Sequence, residues 1–150
     1  MNRVELITDD APPLWLDSAE RFIQKALAHL KRDGWDLSVL FCDNQYIRDL
    51  NARFRDKDEA TDILSFPLGE TVIEEGQTRF LPGDLVISLE MLAENAQYFS
   101  VSQDEELRRL LIHGILHLDG MDHATNAETE PMLQFQEEIL AHLNGERIFP

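Results

Sequence analysis

Residues 102–123, with the sequence SQDEELRRLLIHGILHLDGMDH, contain both a strong helix signal and three of the five histidines of the chain. Ser102 is followed three residues later by Glu105, the spacing of a capping box, which predicts that a helix begins here. Gly120 predicts the end of this helix, because glycine adopts the left-handed C-cap conformation without strain. The apolar stripe of the helix consists of Leu107, Leu111, Gly114 and Leu118.

His113, His117 and His123 form a pattern that is typical of a catalytic zinc site. Two histidines at positions i and i+4 stand one turn apart on the same helix face, so both imidazoles can reach one ion. Gly120 permits the chain reversal that returns His123 towards this pair. Three imidazoles with one open position predict one zinc ion per chain at the wall of a cleft, since structural zinc usually has four protein ligands.

The other histidines and the single cysteine do not indicate a second metal site. His29 and His142 are each isolated on predicted helices and are interpreted as surface or half-buried structural residues. Cys42 is the only cysteine, which excludes an internal disulfide and a thiolate zinc site and fits a reducing cytoplasm. Asp119 and Asp122 lie close to the histidines in sequence and are expected to accept hydrogen bonds from the imidazoles.

Outside this segment the sequence predicts four short strands and about five helices around one sheet. A capping box from Asp17 to Glu20 predicts the start of the first helix. Residues 68–83 carry three glycines and a proline and are interpreted as a long connection. Without repeats or linkers, residues 1–150 are expected to form a single domain. The partly alternating strands and helices indicate an α/β or α+β sandwich, and the prediction adopted is α+β with a mixed four-stranded sheet. The strands are expected at residues 4–7, 37–42, 63–66 and 85–88.

The chain is strongly acidic, with 13 Lys and Arg against 29 Asp and Glu and a formal net charge of −16. Such a charge repels a phosphate backbone on average and argues against a general nucleic-acid binder. A local basic cleft remains compatible with it, because exposed charges are screened beyond about 8–10 Å at physiological salt. If the protein handles RNA, its cations should be concentrated near the metal, and the candidates are Arg48, Arg53, Arg55, Lys57, Arg108 and Arg109.

The spacing H-x-x-x-H-x-x-G-x-x-H is also that of the metzincin metalloproteases. Those enzymes need a glutamate directly after the first histidine as the general base for attack on the peptide bond. In this chain the position is Gly114, so a protease would require an unconventional base.

Three motifs resemble those of the YbeY family of rRNA-maturation endoribonucleases. Residues 113–123 match the pattern H-G-x-L-H-L-x-G-x-D-H throughout, and residues 55–67 match R-x-K-D-x-x-T-D-[VI]-L-S-F-P. A glycine and an aspartate that open the fourth predicted strand are present as Gly83 and Asp84. The resemblance covers most of the chain, and the histidine motif is the most specific of the three.

The resemblance implies an α+β fold that binds one zinc ion through the three histidines and cleaves single-stranded RNA. It implies a cytoplasmic bacterial protein that matures the 3′ end of small-subunit rRNA and takes part in ribosome quality control. The implied partners are RNA, the small ribosomal subunit and assembly proteins. Apolar stretches of only a few residues predict no membrane span, and the N-terminus lacks the layout of a secretory signal.

The same resemblance makes Arg55 important for activity. A zinc ion held by three histidines lowers the pKa of its bound water to roughly 7, so the hydroxide can attack an RNA phosphodiester. The planar donor fork of Arg55 suits the phosphate and its developing charge, although on spacing alone a solvated loop charge would be the commoner case. Lys57 would add a point charge nearby, and Ser65 is assigned to the substrate cleft. Arg109 lies one turn before His113 and is assigned to the cleft as well.

Three hypotheses from different classes follow from these patterns. The first is a metal-dependent endoribonuclease. The second is a non-catalytic, zinc-binding ribosome assembly factor, which the open coordination position disfavours. The third is a metzincin-like hydrolase, which Gly114 disfavours.

Overall fold

The computed structural model describes residues 1–9 and 12–150, which form a four-stranded sheet and five helices. The strands are β1 (Arg3–Thr8), β2 (Trp35–Cys42), β3 (Ile63–Glu74) and β4 (Gln77–Ser88). The helices are α1 (Leu16–His29), α2 (Asn44–Arg55), α3 (Leu89–Phe99), α4 (Gln103–Leu118) and α5 (Pro131–His142). The strand order is β1-β2-β4-β3, with β1, β2 and β4 parallel and β3 antiparallel to β4 at one edge. The prediction of a single α+β domain with a mixed four-stranded sheet is confirmed.

The sheet buries a different cluster of side chains on each face. Leu37, Val39 and Phe41 of β2 alternate along the strand and belong to the main core, together with residues of α1, α4 and α5. Leu64 of β3 belongs to a smaller cluster with Ile47 of α2. The helix that carries His113 and His117, α4, is mostly buried, because its apolar residues belong to the main core. Within the described ranges, no helix has both the length and the apolar character needed to cross a bilayer.

The expectation of a long connection at residues 68–83 is wrong, because this stretch forms most of a β-hairpin. The two strands pair out to Glu74 and Gln77, and Glu75 and Gly76 form a two-residue turn. Both turn residues have positive φ, 51° and 79°, which matches the right-handed twist of the flanking strands. The outer half of the hairpin is exposed on both faces, so it lacks the apolar alternation that reveals a half-buried strand.

The start of α4 agrees with the sequence prediction, whereas the start of α1 does not. The hydroxyl of Ser102 accepts a hydrogen bond from the backbone N–H of Glu105 at 3.0 Å, which confirms the predicted N-cap. Helix α1 begins at Leu16, with Trp15 rather than Asp17 in the N-cap position. Asp17 instead lies in the first turn, where a negative charge interacts favourably with the helix dipole.

Gly114 allows α4 to approach the sheet closely. A Cβ atom at this position would lie 2.7 Å from Cδ2 of Leu85 on β4 and 2.9 Å from Cδ1 of Ile63 on β3. Carbon atoms in contact are normally about 3.5–4.0 Å apart, so only glycine fits without displacing these side chains. Position 114 therefore faces the sheet, and the neighbouring His113 lies in the cleft beside β3.

We expect Gly114→Ala to destabilise the protein. Alanine is favoured over glycine in a helix by about 1 kcal/mol, but an extra methyl group forced into a packed core costs about 1–3 kcal/mol. Leu85 is fully buried and has little room to move, so the packing cost should prevail. The expected net loss, measured by urea unfolding, is on the order of 1 kcal/mol.

Gly145→Ala is the matched control, because no described atom lies within 4 Å of a Cβ built there. It should change the unfolding midpoint little. A Gly114→Ala protein as stable as the wild type would show that the approach of α4 to the sheet is not limited by this contact.

Candidate metal centre

Three imidazoles converge where α4 ends. His113 and His117 stand one turn apart, and the turn at Gly120, with φ of 95°, precedes the return of His123. The Nε2 atoms of His113 and His117 are 3.0 Å apart, and one ligand atom from each of the three rings lies within 4.8 Å of the others. Nitrogens that share a tetrahedral zinc ion at about 2.0–2.1 Å are separated by about 3.3 Å. The predicted three-histidine group is therefore present and could bind a metal ion.

Hydrogen bonds on the far side of each ring leave Nε2 free for a ligand. An amide or carbonyl oxygen can only accept, so each Nδ1 must carry the proton and donate. This tautomer directs the lone pair of each Nε2 into the centre. The acceptors are the Gln136 side chain at 2.7 Å from His113, the Met121 carbonyl at 3.1 Å from His117 and the Thr125 carbonyl at 2.8 Å from His123.

Gln136 on α5 contacts the candidate metal centre and was not predicted from the sequence. Its side chain is buried, and its Nε2 donates a hydrogen bond to Glu137 at 3.1 Å. Because that bond turns the NH₂ group towards Glu137, the amide oxygen faces His113. One feature of the sequence could have indicated this residue. Gln136 stands between Met132 and Leu140 at helical spacing, so it is a polar residue on the buried face of α5.

The two aspartates that were expected to accept hydrogen bonds from the imidazoles have other partners. Asp119 forms an ion pair with Arg32 at 3.0 Å. Asp122 accepts a hydrogen bond from the backbone N–H of His123 at 2.8 Å. Its carboxylate oxygen is 3.9 Å from Nδ1 of His117, which is too far for a hydrogen bond. Loop carbonyls and a glutamine therefore replace these carboxylates as acceptors.

Burial favours the neutral form of two imidazoles. Desolvation lowers the pKa of His113 below its usual value, more than the hydrogen bond with Gln136 raises it. Desolvation also lowers the pKa of His117, and the nearby His123 adds to this effect. A metal ion binds neutral imidazole, so lowered pKa values extend the pH range of metal binding towards acid.

His113 and His117 form one wall of an open cleft of about 670 Å³. The edge strand β3 contributes Ile63, Ser65 and Pro67 to the lining. Arg55, at the end of α2, also lines the cleft and donates a hydrogen bond from Nη2 to the backbone carbonyl of Ser65 at 2.6 Å. The structure thus brings two residues that were assigned to the site, Arg55 and Ser65, into the same cleft as His113 and His117.

Lys57 lies beside this cleft rather than in it. It lines a smaller hollow of about 330 Å³, which shares Arg55 and Leu64 with the cleft. Among residues 1–9 and 12–150, no carboxylate forms an ion pair with Arg55 or Lys57. Both charges are therefore available to an anion.

Arg109 differs from the expectation that it lines the cleft. Its guanidinium contacts both carboxylate oxygens of Glu137 at 3.0 Å and one oxygen of Glu105 at 3.2 Å. Arg108 is buried and pairs with Asp104 at 2.9 Å. Carboxylates therefore neutralise both of the α4 cations that were expected to lie near the metal.

His29 and His142 lie outside this centre. Both are exposed, at the ends of α1 and α5, and their rings are in contact, with centroids 4.4 Å apart and planes tilted by 40°. They are surface residues, as interpreted from the sequence, but they contact each other instead of being isolated.

Three convergent imidazoles, two of which line a cleft with an unpaired arginine, define a candidate metallohydrolase centre. A family model described as Endoribonuclease YbeY matches residues 8–144. A Treponema denticola protein named Endoribonuclease YbeY is 46% identical, over 99% of this chain and 97% of its own. A protein of the same name from Borreliella burgdorferi (strain ZS7) is 45% identical over 85% of each chain. The solution structure of a Thermotoga maritima protein has a TM-score of 0.66 at 28% identity, covering 97% of this chain and 91% of that one.

This chain therefore belongs to the YbeY endoribonuclease family, as the three sequence motifs predicted. The matched region contains the three histidines, Arg55 and Gln136. The Thermotoga maritima structure shares the fold over nearly the whole chain.

We expect the wild-type protein to bind one equivalent of zinc, and Gln136→Ala to bind it about 10–100-fold more weakly. Without the amide oxygen, the ring of His113 loses the acceptor that fixes its orientation and tautomer. Competition with a chromophoric chelator measures the affinity.

Glu138→Ala is the matched control, since it removes an exposed side chain from the same helix. His117→Ala, which lacks a ligand, gives the lower limit of affinity. If Gln136→Ala bound zinc as tightly as the wild type, the hydrogen bond to His113 would have no part in orienting the ligand.

Proposed function

We propose that this protein is a zinc-dependent endoribonuclease that cleaves single-stranded RNA. The observation that carries the proposal is a group of three convergent imidazoles, two of which, His113 and His117, line one open cleft with the unpaired guanidinium of Arg55. The name of a relative that matches nearly the whole chain supports the reaction class. Zinc is proposed because three neutral imidazoles suit this ion and leave one coordination position open.

The three histidines would hold the ion through Nε2, with their Nδ1 atoms committed to oxygen acceptors. When bound, zinc supplies activation of a water molecule near neutral pH. The protein's own contribution is orientation, because buried or backbone acceptors hold each ring in place before the ion arrives. Such a centre needs no strong protein base, which fits a family motif with glycine at position 114.

Arg55 would bind the phosphate that is cleaved. One of its N–H groups is bonded to the carbonyl of Ser65, which fixes the guanidinium at the cleft and leaves its other donors available. A donor group that is already in place does not need to reorganise when negative charge develops on the phosphate. The proposed role of Arg55 is therefore to stabilise the transition state as well as to bind the substrate.

The shape of the cleft supports an unpaired substrate. Its lining comes from a helix end, a loop and an edge strand, and about 670 Å³ admits a short segment of a single strand. An A-form duplex presents its phosphates and shallow minor groove on a rigid outer surface, whereas unpaired nucleotides can be turned into a narrow opening. Cleavage of single strands is proposed for this reason.

The biological setting is proposed from the family resemblance. The protein would act in the cytoplasm, in maturation of the 3′ end of small-subunit rRNA and in ribosome quality control. Carboxylates neutralise several of its cations, including Arg48, which pairs with Asp58 at 2.9 Å, in a chain of net charge −16. Affinity for free RNA should then be weak, which supports delivery by the small ribosomal subunit or an assembly protein.

A non-catalytic, zinc-binding ribosome assembly factor is the second candidate. The scarcity of unpaired cations at the cleft favours this hypothesis, because a protein partner rather than RNA would then supply most of the binding energy. The open side of the histidine centre and the position of Arg55 favour catalysis instead. A metzincin-like protease is disfavoured further, since a side chain at position 114 would meet Leu85 and Ile63 rather than the metal.

We expect Arg55→Ala to slow RNA cleavage by about 10²–10³-fold, with unchanged zinc content and unfolding midpoint. Arg55→Lys should restore little, because an ammonium group lacks the planar donor fork. The measurement is cleavage of a fluorescent single-stranded RNA, with matched duplex RNA and casein as alternative substrates.

Arg53→Ala provides a matched control, since Arg53 is an exposed cation in the same last turn of α2. It should cut at close to the wild-type rate. Normal cleavage by Arg55→Ala would exclude Arg55 from the mechanism and leave it as a surface charge.

The affinity for RNA should depend only weakly on salt. Each phosphate contact contributes about −0.7 to the slope of log affinity against log salt for single strands. With Arg55 and Lys57 as the unpaired cations at the cleft, we expect a slope of about −1 to −3. Arg109→Ala should leave the slope unchanged, because Glu137 already neutralises that side chain.

Titration of a short single-stranded RNA at several salt concentrations measures this slope. A steep slope, near about −6, would contradict a cleft that holds only a few phosphates. The absence of binding at any salt concentration would favour the assembly-factor hypothesis.

A further inference from the structure

Two phenylalanines form an aromatic surface next to Arg55. Phe54, in the last turn of α2, is 56% exposed. Its ring meets the ring of Phe66 on β3 edge to face, with centroids 5.5 Å apart and planes at 77°. The guanidinium carbon of Arg55 lies 5.5 Å from the Phe66 centroid. We call Phe54, Phe66 and the guanidinium of Arg55 the aromatic platform.

Contacts with a buried apolar cluster hold the aromatic platform in place. Phe66 packs against the buried cluster that includes Leu64 and Val86. Its half-buried ring supports Phe54, so the two rings form a preformed surface rather than two independent side chains. A preformed surface loses little conformational entropy when a ligand binds.

The turn after α2 is also fixed. Asp56 adopts φ of 60°, a conformation that L-residues rarely adopt. The buried Asn51 holds this turn twice, because its carbonyl accepts from the N–H of Lys57 at 3.2 Å and its side chain donates to the carbonyl of Glu59 at 2.9 Å. The backbone beside Phe54 and Arg55 is therefore tied to the body of α2.

Packing alone does not account for Phe54. More than half of its surface is exposed, so its contribution to the core is small. Single exposed apolar residues are common, but Phe54 directly precedes the arginine whose other contact is Ser65 in the metal cleft. Arg55 thus links the platform to the metal centre. The ligand of such a surface combines a flat apolar group with a nearby negative charge.

We propose that the aromatic platform is a stacking site for one unpaired base of the RNA substrate, next to the phosphate that Arg55 binds. The proposal rests on the proposed function and deepens it. Unpaired bases stack on aromatic rings and on arginine planes with little dependence on sequence. Stacking would supply affinity that the two unpaired cations in and beside the cleft, Arg55 and Lys57, cannot. An apolar protein segment fits less well, because the guanidinium of Arg55 would face it without an anion.

The test is a scan with short single-stranded RNAs, each of which lacks the base at one position. For the wild type, removal of one particular base near the cleavage point should raise KM on the order of tenfold. For Phe54→Ala, KM for the intact RNA should already be raised by this factor, and removal of the same base should have no further effect. The values of kcat and zinc content should stay unchanged.

Substitutions at the same position separate stacking from simple apolar contact. Phe54→Trp should retain the low KM, whereas Phe54→Leu should lose most of it, because leucine has no flat π face. Tyr98→Ala is the matched control, since Tyr98 is 82% exposed and forms an edge-to-face pair with Phe99 on α3. It should behave as the wild type. A Phe54→Ala protein with wild-type KM and the wild-type response to missing bases would overturn the proposal.

A binding measurement separates failure of this proposal from failure of the proposed function. An RNA with 2-aminopurine at the sensitive position should show quenched fluorescence on mixing with the wild type, before cleavage, but not with Phe54→Ala. If the wild type cuts RNA and this quenching is independent of Phe54, the stacking site is wrong and the nuclease stands. If the quenching depends on Phe54 but no RNA is cut, the nuclease is wrong and the stacking site stands as part of an RNA-binding protein.

Discussion

The contact of Gly114 with Leu85 and Ile63 sets the geometry on which the metal centre depends. It allows the axis of α4 to lie close to β4 and the edge strand β3, because the side chains of Leu85 and Ile63 occupy the space that a side chain at position 114 would need. His113 and His117 belong to that helix, so the close approach of α4 to the sheet also sets their distance from β3 and from Arg55, which donates to the carbonyl of Ser65 on β3. A wider separation would move the imidazoles away from Arg55 even if their spacing along the helix were unchanged.

Buried polar contacts then orient the histidine rings that the packing of α4 places at the cleft. Gln136 accepts from His113, donates to Glu137, and Glu137 in turn binds Arg109 through both oxygens. An arginine that does not line the cleft is thus connected to a metal-ligand candidate through two side chains of α5. Other ion pairs likewise join different helices and strands, for example Arg79 on β4 with Asp36 on β2. The cations that remain unpaired at the cleft are few.

The sequence predicted those parts of the centre that are local along the chain. An i, i+4 pair followed by glycine and a third histidine places three imidazoles together with little help from the rest of the fold. The acceptors of their Nδ1 atoms were not predicted, because Gln136 comes from another helix and the loop acceptors are backbone carbonyls without sequence identity. The prediction that Arg109 lines the cleft failed for a related reason. Helical spacing predicts which face of α4 carries Arg109, but it does not predict the ion pair with Glu137 on another helix. The outer hairpin was missed because both of its faces are exposed.

The β3–β4 hairpin has an inner part that is held to the sheet and an outer part whose length is not constrained by the core. Near the sheet it is anchored by Arg79, which is buried, forms an ion pair with Asp36 and donates to the carbonyl of Met1 at 2.8 Å. Beyond this anchor it is a two-stranded ribbon, and such ribbons are only marginally stable on their own. The turn at Glu75 and Gly76 is therefore a natural point for sequence insertions. For the same reason it is a suitable place to attach a label while the cleft stays intact.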